Sequence, residues 1–70
     1  MATSIAISVN GVSRDVAPGC TVAELIAQLQ PAAQRIAVER NGSIVPRSQH
    51  AHTSLADGDR VEIVVAVGGG

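Results

Sequence analysis

The sequence predicts one α+β domain, in which a single main helix packs on one face of a mixed β-sheet. Two Asn-Gly pairs lie between short segments that alternate in polarity, a pattern typical of β-hairpins. One segment between them has apolar residues at helical spacing. A chain of 70 residues has no room for a second domain. We expect the domain to cover residues 1–67 and residues 68–70 to form a flexible C-terminal glycine tail.

The first hairpin is predicted near the N-terminus. Residues 5–9 alternate large and small side chains, Asn10-Gly11 follows, and residues 12–16 resume a period of two. Asn and Gly tolerate the positive φ that a type I′ turn requires. Pro18-Gly19 then ends the second strand.

The helix is predicted to begin at Thr21, because Thr21 and Glu24 have the spacing of a capping box. The apolar residues that follow recur at i, i+3, i+4 and i+7, and Pro31 limits the helix at its far end. This stripe should pack on the sheet: Val22, Leu25, Ile26 and Leu29.

The second half of the chain predicts further strands, which gives the order ββαβββ or ββαββ. Residues 36–40 read as a strand that Asn41-Gly42 turns into the short segment 43–45, and residues 47–54 read as a loop or short 3₁₀ turn. The last strand, 60–67, is apolar on nearly both faces, which is typical of a central strand. One face of that strand carries Val61, Ile63, Val65 and Val67, and the other carries Glu62, Val64 and Ala66.

Composition excludes several functions. A net charge of -1 and the absence of Phe, Tyr and Trp leave no basic surface and no stacking platform, so we expect no nucleic acid partner. The longest apolar run is too short to span a bilayer, so we expect no membrane association. The single Cys20 closes no internal disulfide and the N-terminus lacks a secretion signal, so a cytoplasmic location is expected.

No arrangement of residues predicts an autonomous enzyme. Asp57 and Asp59 flank Gly58 as in an ordinary turn, although two nearby carboxylates also suit acid-base or metal chemistry. His50 and His52 fit a solvated loop, since a metal site needs three or four ligands. We therefore predict no metal.

Cys20 precedes the predicted helix and permits two interpretations. The helix dipole could lower its pKa and make it a persulfide relay. Alternatively, Cys20 packs against Leu25 as a hydrophobic staple.

The glycine tail is the remaining candidate. Gly68, Gly69 and Gly70 follow the last strand, and glycine threads narrow active sites without steric conflict. A frayed terminus or a cloning remnant are the alternatives. Affinity for a partner would have to come from the folded face, because ordering the tail costs entropy. Val64 is a candidate contact there, with Ile44 and Val45 beside Pro46 in a small apolar patch.

Taken together, these motifs resemble the ThiS family, the ubiquitin-like sulfur carriers of thiamine (thiazole) biosynthesis. The resemblance extends over essentially the whole chain. The motifs that carry it are Val9-Asn10-Gly11, residues 21–26, residues 38–47 with Val45-Pro46-Arg47, and residues 55–63 with Asp57-Gly58-Asp59 running into the glycines.

The resemblance implies a β-grasp fold, with the first and last strands as parallel central neighbours. It also implies that a partner, an E1-like adenylyltransferase, uses ATP to adenylate Gly70, while this chain binds no cofactor itself. Sulfur from a cysteine-derived sulfur donor enzyme then gives a thiocarboxylate, which is delivered to thiazole synthase. Gly68 and Gly69 enter the partner's active site, and the exposed face of the last strand, with Val64, docks to the partner. Val67, at the end of that strand, is a further expected partner contact.

Three alternatives share this fold. The small subunit of molybdopterin synthase also ends in Gly-Gly, but its members typically have Phe and Pro before the glycines, whereas Val64-Val65-Ala66-Val67 stands here. The second is a protein modifier that forms isopeptide bonds. The third is a β-grasp interaction module with an inert tail.

Overall fold

The elements follow one another in the order ββαβββ in a computed structural model that describes residues 3–29 and 35–65. This is one of the two predicted orders. The described elements are β1 (Ile5–Val9), β2 (Val12–Val16), α1 (Val22–Leu29), β3 (Ile36–Arg40), β4 (Ser43–Val45), a 3₁₀ helix (Arg47–His52) and β5 (Arg60–Val65).

The five strands form one mixed sheet in the order β2-β1-β5-β3-β4. β5 runs parallel to β1 and antiparallel to β3, and the two hairpins are antiparallel. The prediction that the last strand is central, with the first strand as its parallel neighbour, is therefore confirmed. A central strand gains hydrogen bonds on both edges, which suits the nearly continuous apolar sequence of β5.

Both hairpin turns have type I′ character, which the sequence predicted for the first of them. Asn10 and Gly11 have φ values of 50° and 82°, and Asn41 and Gly42 have φ values of 53° and 84°. Positive φ at both central positions defines this turn and matches the right-handed twist of the flanking strands.

Helix α1 begins with the predicted capping box. The amide of Glu24 donates to Thr21 Oγ1 at 3.2 Å, and the amide of Thr21 donates to Glu24 Oε1 at 3.0 Å. Val22 and Leu25 are fully buried, and the other two predicted stripe residues, Ile26 and Leu29, are half-buried against the core. Pro31 lies outside the described residues.

The core lies between α1 and the inner face of the sheet, meaning the face that the helix covers. Val61 and Ile63 of β5 are buried there, while Glu62 and Val64 point to the opposite, outer face, as the alternation predicts. Ala66 and Val67 lie outside the described residues. The buried core residues are aliphatic apart from Cys20: Ile7, Val16, Cys20, Val22, Leu25, Val38, Leu55, Val61 and Ile63.

Candidate functional site on the outer sheet face

The tail residues predicted to carry the chemistry, Gly68, Gly69 and Gly70, lie outside the described residues, as does Val67. What the structure does describe is the strand that leads to them. β5 carries the chain along the middle of the sheet, and Val64 is exposed on its outer face just before the tail. The outer face near Val64 is therefore the described surface that lies nearest in sequence to the predicted tail.

Two large aliphatic side chains are exposed on this outer face. Val64 is 60% exposed and Ile44 is 75% exposed. They occupy different rows of the sheet, because Val64 lies opposite Ala37 and Ile44 lies opposite Glu39. Glu39 of β3 lies beside Ile44, whereas Ala37 lies beside Val64, so within residues 3–29 and 35–65 the two exposed side chains form two small apolar contacts and not one row.

Val45 departs from the expectation that it joins Ile44 in an exposed patch. Successive residues of a strand point to opposite faces. Val45 accordingly lies opposite the buried Val38 and packs, half-buried, against the core. The exposed aliphatic pair comprises Ile44 and Val64, and Val45 supports the sheet from its inner side.

Two glutamates lie directly opposite each other on the outer face. The register of β3 and β5 pairs Glu39 with Glu62. Like charges in this position destabilise a sheet, so the pair is not explained by stability. Arg60 and the turn residues Asn41 and Gly42 line the same surface depression.

A second, shallow depression lies at the tail end of the same face, and we call it the tail-root depression. It has a volume of about 280 Å³ and is lined by Arg35, Ile36, Ala37, Arg47 and Val64. Sequence reasoning selected only Val64 from this set. The positions of the other four residues follow from strand register. Ala37 lies opposite Val64, and this pairing brings the residues just before β3 and just after β4 to the end of β5.

Asp59 is the buried centre of a network that holds the beginning of β5. It is 6% exposed and accepts hydrogen bonds from Arg40 Nε at 2.7 Å, Asn41 Nδ2 at 3.0 Å and the amide of Ala56 at 2.8 Å. Burial raises the pKa of the Asp59 carboxyl, but these hydrogen bonds and the charge of Arg40 outweigh burial and leave its pKa below its usual value. A carboxylate held in this way serves structure rather than proton transfer.

Asp57 has a separate structural role. Its Oδ1 accepts the amide of Ala6 at 2.8 Å, and the amide of Gly58 donates to the carbonyl of Ala6 at 2.7 Å. The Asp57-Gly58-Asp59 turn therefore ties β1 and β3 to the beginning of β5, which favours the structural interpretation of its two carboxylates.

Cys20 is buried, and its thiol donates to the carbonyl of Thr21 at 3.5 Å. Burial, followed by the nearby charge of Glu24, raises the pKa of the thiol. A relay needs the opposite shift, because the thiolate is the reactive form. Cys20 lies in the same core cluster as Leu25, as a packing role requires.

The two histidines lie in the 3₁₀ helix. His50 Nε2 is 3.1 Å from the carbonyl oxygen of Val45, and this contact places the ring against the end of β4. Across residues 3–29 and 35–65, no group of three or more His, Cys, Asp or Glu side chains is arranged to hold a metal ion. Nor does any helix in these ranges have the length and apolarity to cross a membrane.

Comparisons with known proteins give two kinds of match. The crystal structure of the thiamine biosynthesis protein ThiS from Geobacter metallireducens is 36% identical, with a TM-score of 0.79 over 94% of this chain and 100% of that one. Thiazole synthase from Paramagnetospirillum magneticum is 42% identical over 62 residues, and thiazole synthase from Magnetococcus marinus is 34% identical over 64 residues.

Coverage differs sharply between these relatives. The matches take in 89% and 91% of this chain, but only 19% and 20% of the two thiazole synthases. The chain thus spans about one fifth of the length of these curated relatives. The model of the ThiS family, in contrast, matches residues 7–70. With that match and a β-grasp architecture shared with the Geobacter protein, the chain belongs to the ThiS family.

Proposed function

We propose that this chain is a sulfur carrier for thiazole formation in thiamine biosynthesis, with the α-carboxylate of Gly70 as the reacting group. The observation that carries the proposal is the family match over residues 7–70. The neighbouring structure is that of a protein of thiamine biosynthesis, and two relatives are thiazole synthases. The chain would act as a protein co-substrate and not as an enzyme.

The chemistry at Gly70 needs activation because a carboxylate is a poor electrophile. An E1-like adenylyltransferase would join the carboxylate to the α-phosphorus of ATP and release pyrophosphate. A sulfur nucleophile at the oxidation level of sulfide, supplied by a cysteine-derived sulfur donor enzyme, would then attack the acyl carbon. AMP leaves, and the carboxylate becomes a thiocarboxylate. ATP is used by the partner, and the carrier itself needs no bound cofactor.

Glycine suits the tail because it has no side chain to clash inside a narrow partner site. Gly68 and Gly69 would provide reach, and Gly70 the reacting carbon. Ordering each residue costs about 1 to 2 kcal/mol, and more for glycine. The folded domain must offset this cost, and the exposed outer face around Val64 and Ile44 is the surface we assign to that contact.

Thiazole synthase is the proposed acceptor of the sulfur. Two thiazole synthases contain a segment similar to this chain, which favours thiazole over molybdopterin delivery. The Val-rich sequence before the glycines favours the same choice. An inert β-grasp module remains the simplest competing function.

Intact-mass analysis after loading tests the proposal. The chain is incubated with the adenylating enzyme, ATP, cysteine and the sulfur donor, and the C-terminal peptide is then mapped. We expect a species heavier by the difference between sulfur and oxygen, located on Gly70. Deletion of Gly70 should abolish loading, because the remaining glycines end one residue short of the activated position.

The controls separate chemistry from folding. The variant without Gly70 should show the circular dichroism spectrum and melting temperature of the full chain, since the change lies in the predicted tail and removes no residue of the domain 1–67. Cys20→Ser should load normally. Sulfur on a chain lacking Gly70, or loading lost in Cys20→Ser, would contradict the assignment of Gly70, and mass on a partner's lysine would indicate a protein modifier.

A further inference from the structure

The outer sheet face has unlike charges at its two ends. At the tail end, the tail-root depression brings Arg35 and Arg47 together with Val64. Toward the beginning of β5, Glu39 and Glu62 lie opposite each other with Arg60 beside them. The described face is therefore doubly positive next to the tail and net negative at the other end.

Folding does not account for this distribution. Two guanidinium groups at one depression repel each other, as do two carboxylates directly across a strand pair. All three arginines and Glu62 are exposed, so their charges are accessible to another molecule. A surface that brings carboxylates to the tail end and a cation to the other end would relieve both repulsions at once.

The length of the tail limits which anions Arg35 and Arg47 can bind. Five residues, 66–70, follow the described part of β5, and an extended chain spans about 3.3 Å per residue. When the tail is extended inside a partner, Gly70 is therefore about 17 Å beyond the depression. A phosphate attached to Gly70 is out of range of Arg35 and Arg47, so the anion that they meet belongs to the partner protein's surface.

The relatives indicate which partner this is. Two thiazole synthases carry a segment similar to this chain, over 89% and 91% of its length, within the same polypeptide. Joining a carrier domain to its acceptor raises their effective concentration, which is an advantage only where the two surfaces meet.

We propose that the tail-root depression docks acidic side chains of thiazole synthase, with Val64 as the apolar contact beside Arg35 and Arg47. Glu39 and Glu62 meet a cation of the same partner, so the two ends of the face fix the direction in which the tail enters. This inference rests on the proposed sulfur-carrier function. It adds to that function the charge pattern that orients the complex.

Binding of the chain to the source organism's thiazole synthase, measured by isothermal titration calorimetry at two salt concentrations, tests the proposal. Reversal of both charges, in Arg35→Glu/Arg47→Glu, should weaken binding by about tenfold at low salt, because it replaces attraction by repulsion at two sites. The wild-type affinity should fall with added salt, and that of the double variant should fall much less.

Control variants test whether the charges of Arg35 and Arg47 cause the change in affinity. Arg14→Glu reverses one charge, half the change in the double variant, on β2, an edge strand two positions from β5, and should alter affinity less than about twofold. Arg35→Lys/Arg47→Lys keeps the charge and should bind nearly as well as wild type. Equal melting temperatures would show that exposed positions were changed without unfolding the domain.

The outcomes separate this inference from the proposed function. If wild type binds and the double reversal binds equally well, or Arg14→Glu weakens binding as much, the docking assignment is wrong while the carrier function stands. The docking assignment is also wrong if the double reversal impairs adenylation alone. If the wild-type chain accepts no sulfur at Gly70, the proposed function is wrong, whatever the arginine variants do.

Discussion

The two Asn-Gly turns have the same backbone conformation but hold the central strand in different ways. At the first turn, the Asn10 side chain binds β5 on its own: Oδ1 accepts the amide of Ile63 at 2.8 Å, and Nδ2 donates to the Ile63 carbonyl at 3.0 Å. At the second turn, the side chain of Asn41 accepts the amide of Arg60 at 2.9 Å and donates to the buried carboxylate of Asp59.

At the first turn, the neutral side-chain amide of Asn10 extends the hydrogen-bond ladder between β1 and β5. The amides of Ser8 and Asn10 donate to the carbonyls of Asp59 and Val61, so the next pairing position on β5 is Ile63. The side-chain amide of Asn10 takes that position after β1 has turned away. These bonds involve no titratable group, so their contribution to the free energy of unfolding should not change with pH.

The second turn depends on a buried charge. Asp59 links Asn41 and Arg40, at the end of β3, to the beginning of β5, and the Arg40 contact is an ion pair of 2.7 Å. Hydrogen bonds to charged groups contribute more than neutral ones. One turn sequence thus serves two anchors, and we expect the second to be the stronger and the only one of the two to respond to acid.

The largest effect is expected from Asp59→Asn. In the variant, an amide presents an NH₂ group to donors that bind the Asp59 carboxylate in the wild type, and the ion pair with Arg40 is lost. We expect a loss of about 3 kcal/mol in the free energy of unfolding. This loss is smaller than that for a fully buried ion pair, because Arg40 is partly exposed. For a domain of this size, that is a large share of the total stability. Urea unfolding followed by circular dichroism measures it.

The pH dependence of the stability difference between wild type and Asp59→Asn is the control for this prediction. The pKa of Asp59 is lowered in the folded state, so its contribution is present above the unfolded-state pKa of about 3.9. It is lost as the pH falls through the folded-state pKa. The stability difference between wild type and Asp59→Asn should therefore shrink as the pH is lowered below about 4. A difference that stays constant to pH 2 would contradict a charged Asp59 anchor.

A smaller effect is expected from Asn41→Gly. Glycine keeps the positive φ of the turn, so the change removes the two side-chain bonds to Arg60 and Asp59 without straining the backbone. We expect a loss of about 2 kcal/mol, since one of these bonds is to a charge. Unfolding at pH 7 and at pH 3 measures it. The loss should be smaller at pH 3, and an equal loss at both values would argue against the coupling to Asp59.

Much of this fold could be predicted because local signals agree with tertiary packing. The Asn-Gly pairs require positive φ, the Thr21-Glu24 spacing caps the helix, and the apolar sequence of residues 60–65 suits a central strand. Each of these depends on neighbours close in sequence or on a composition that only one position in the sheet accommodates. Parallel pairing of β1 with β5 was instead implied by family resemblance, since no local pattern specifies it.

The candidate site was harder to predict from the sequence than the fold. Glu39 and Glu62 are far apart in sequence, and so are Arg35 and Arg47, so their proximity follows only from strand register. Val45 was assigned to an exposed patch although alternation along β4 turns it toward the core. The dual roles of Asn10 and Asn41 were missed for the same reason, because a turn motif predicts backbone angles and not the distant strand that its side chain binds.

The smallest effect is expected from Asn10→Gly, the counterpart of Asn41→Gly at the first turn. It keeps the positive φ and removes two neutral, partly buried hydrogen bonds to Ile63 at the end of the β1 ladder. We expect a loss of about 1 kcal/mol, the same at pH 7 and pH 3. Unfolding of both glycine variants under identical conditions makes the comparison direct. A larger loss in Asn10→Gly than in Asn41→Gly would show that continuity of the ladder outweighs the buried charge in holding β5, and would reverse the ranking of the two anchors.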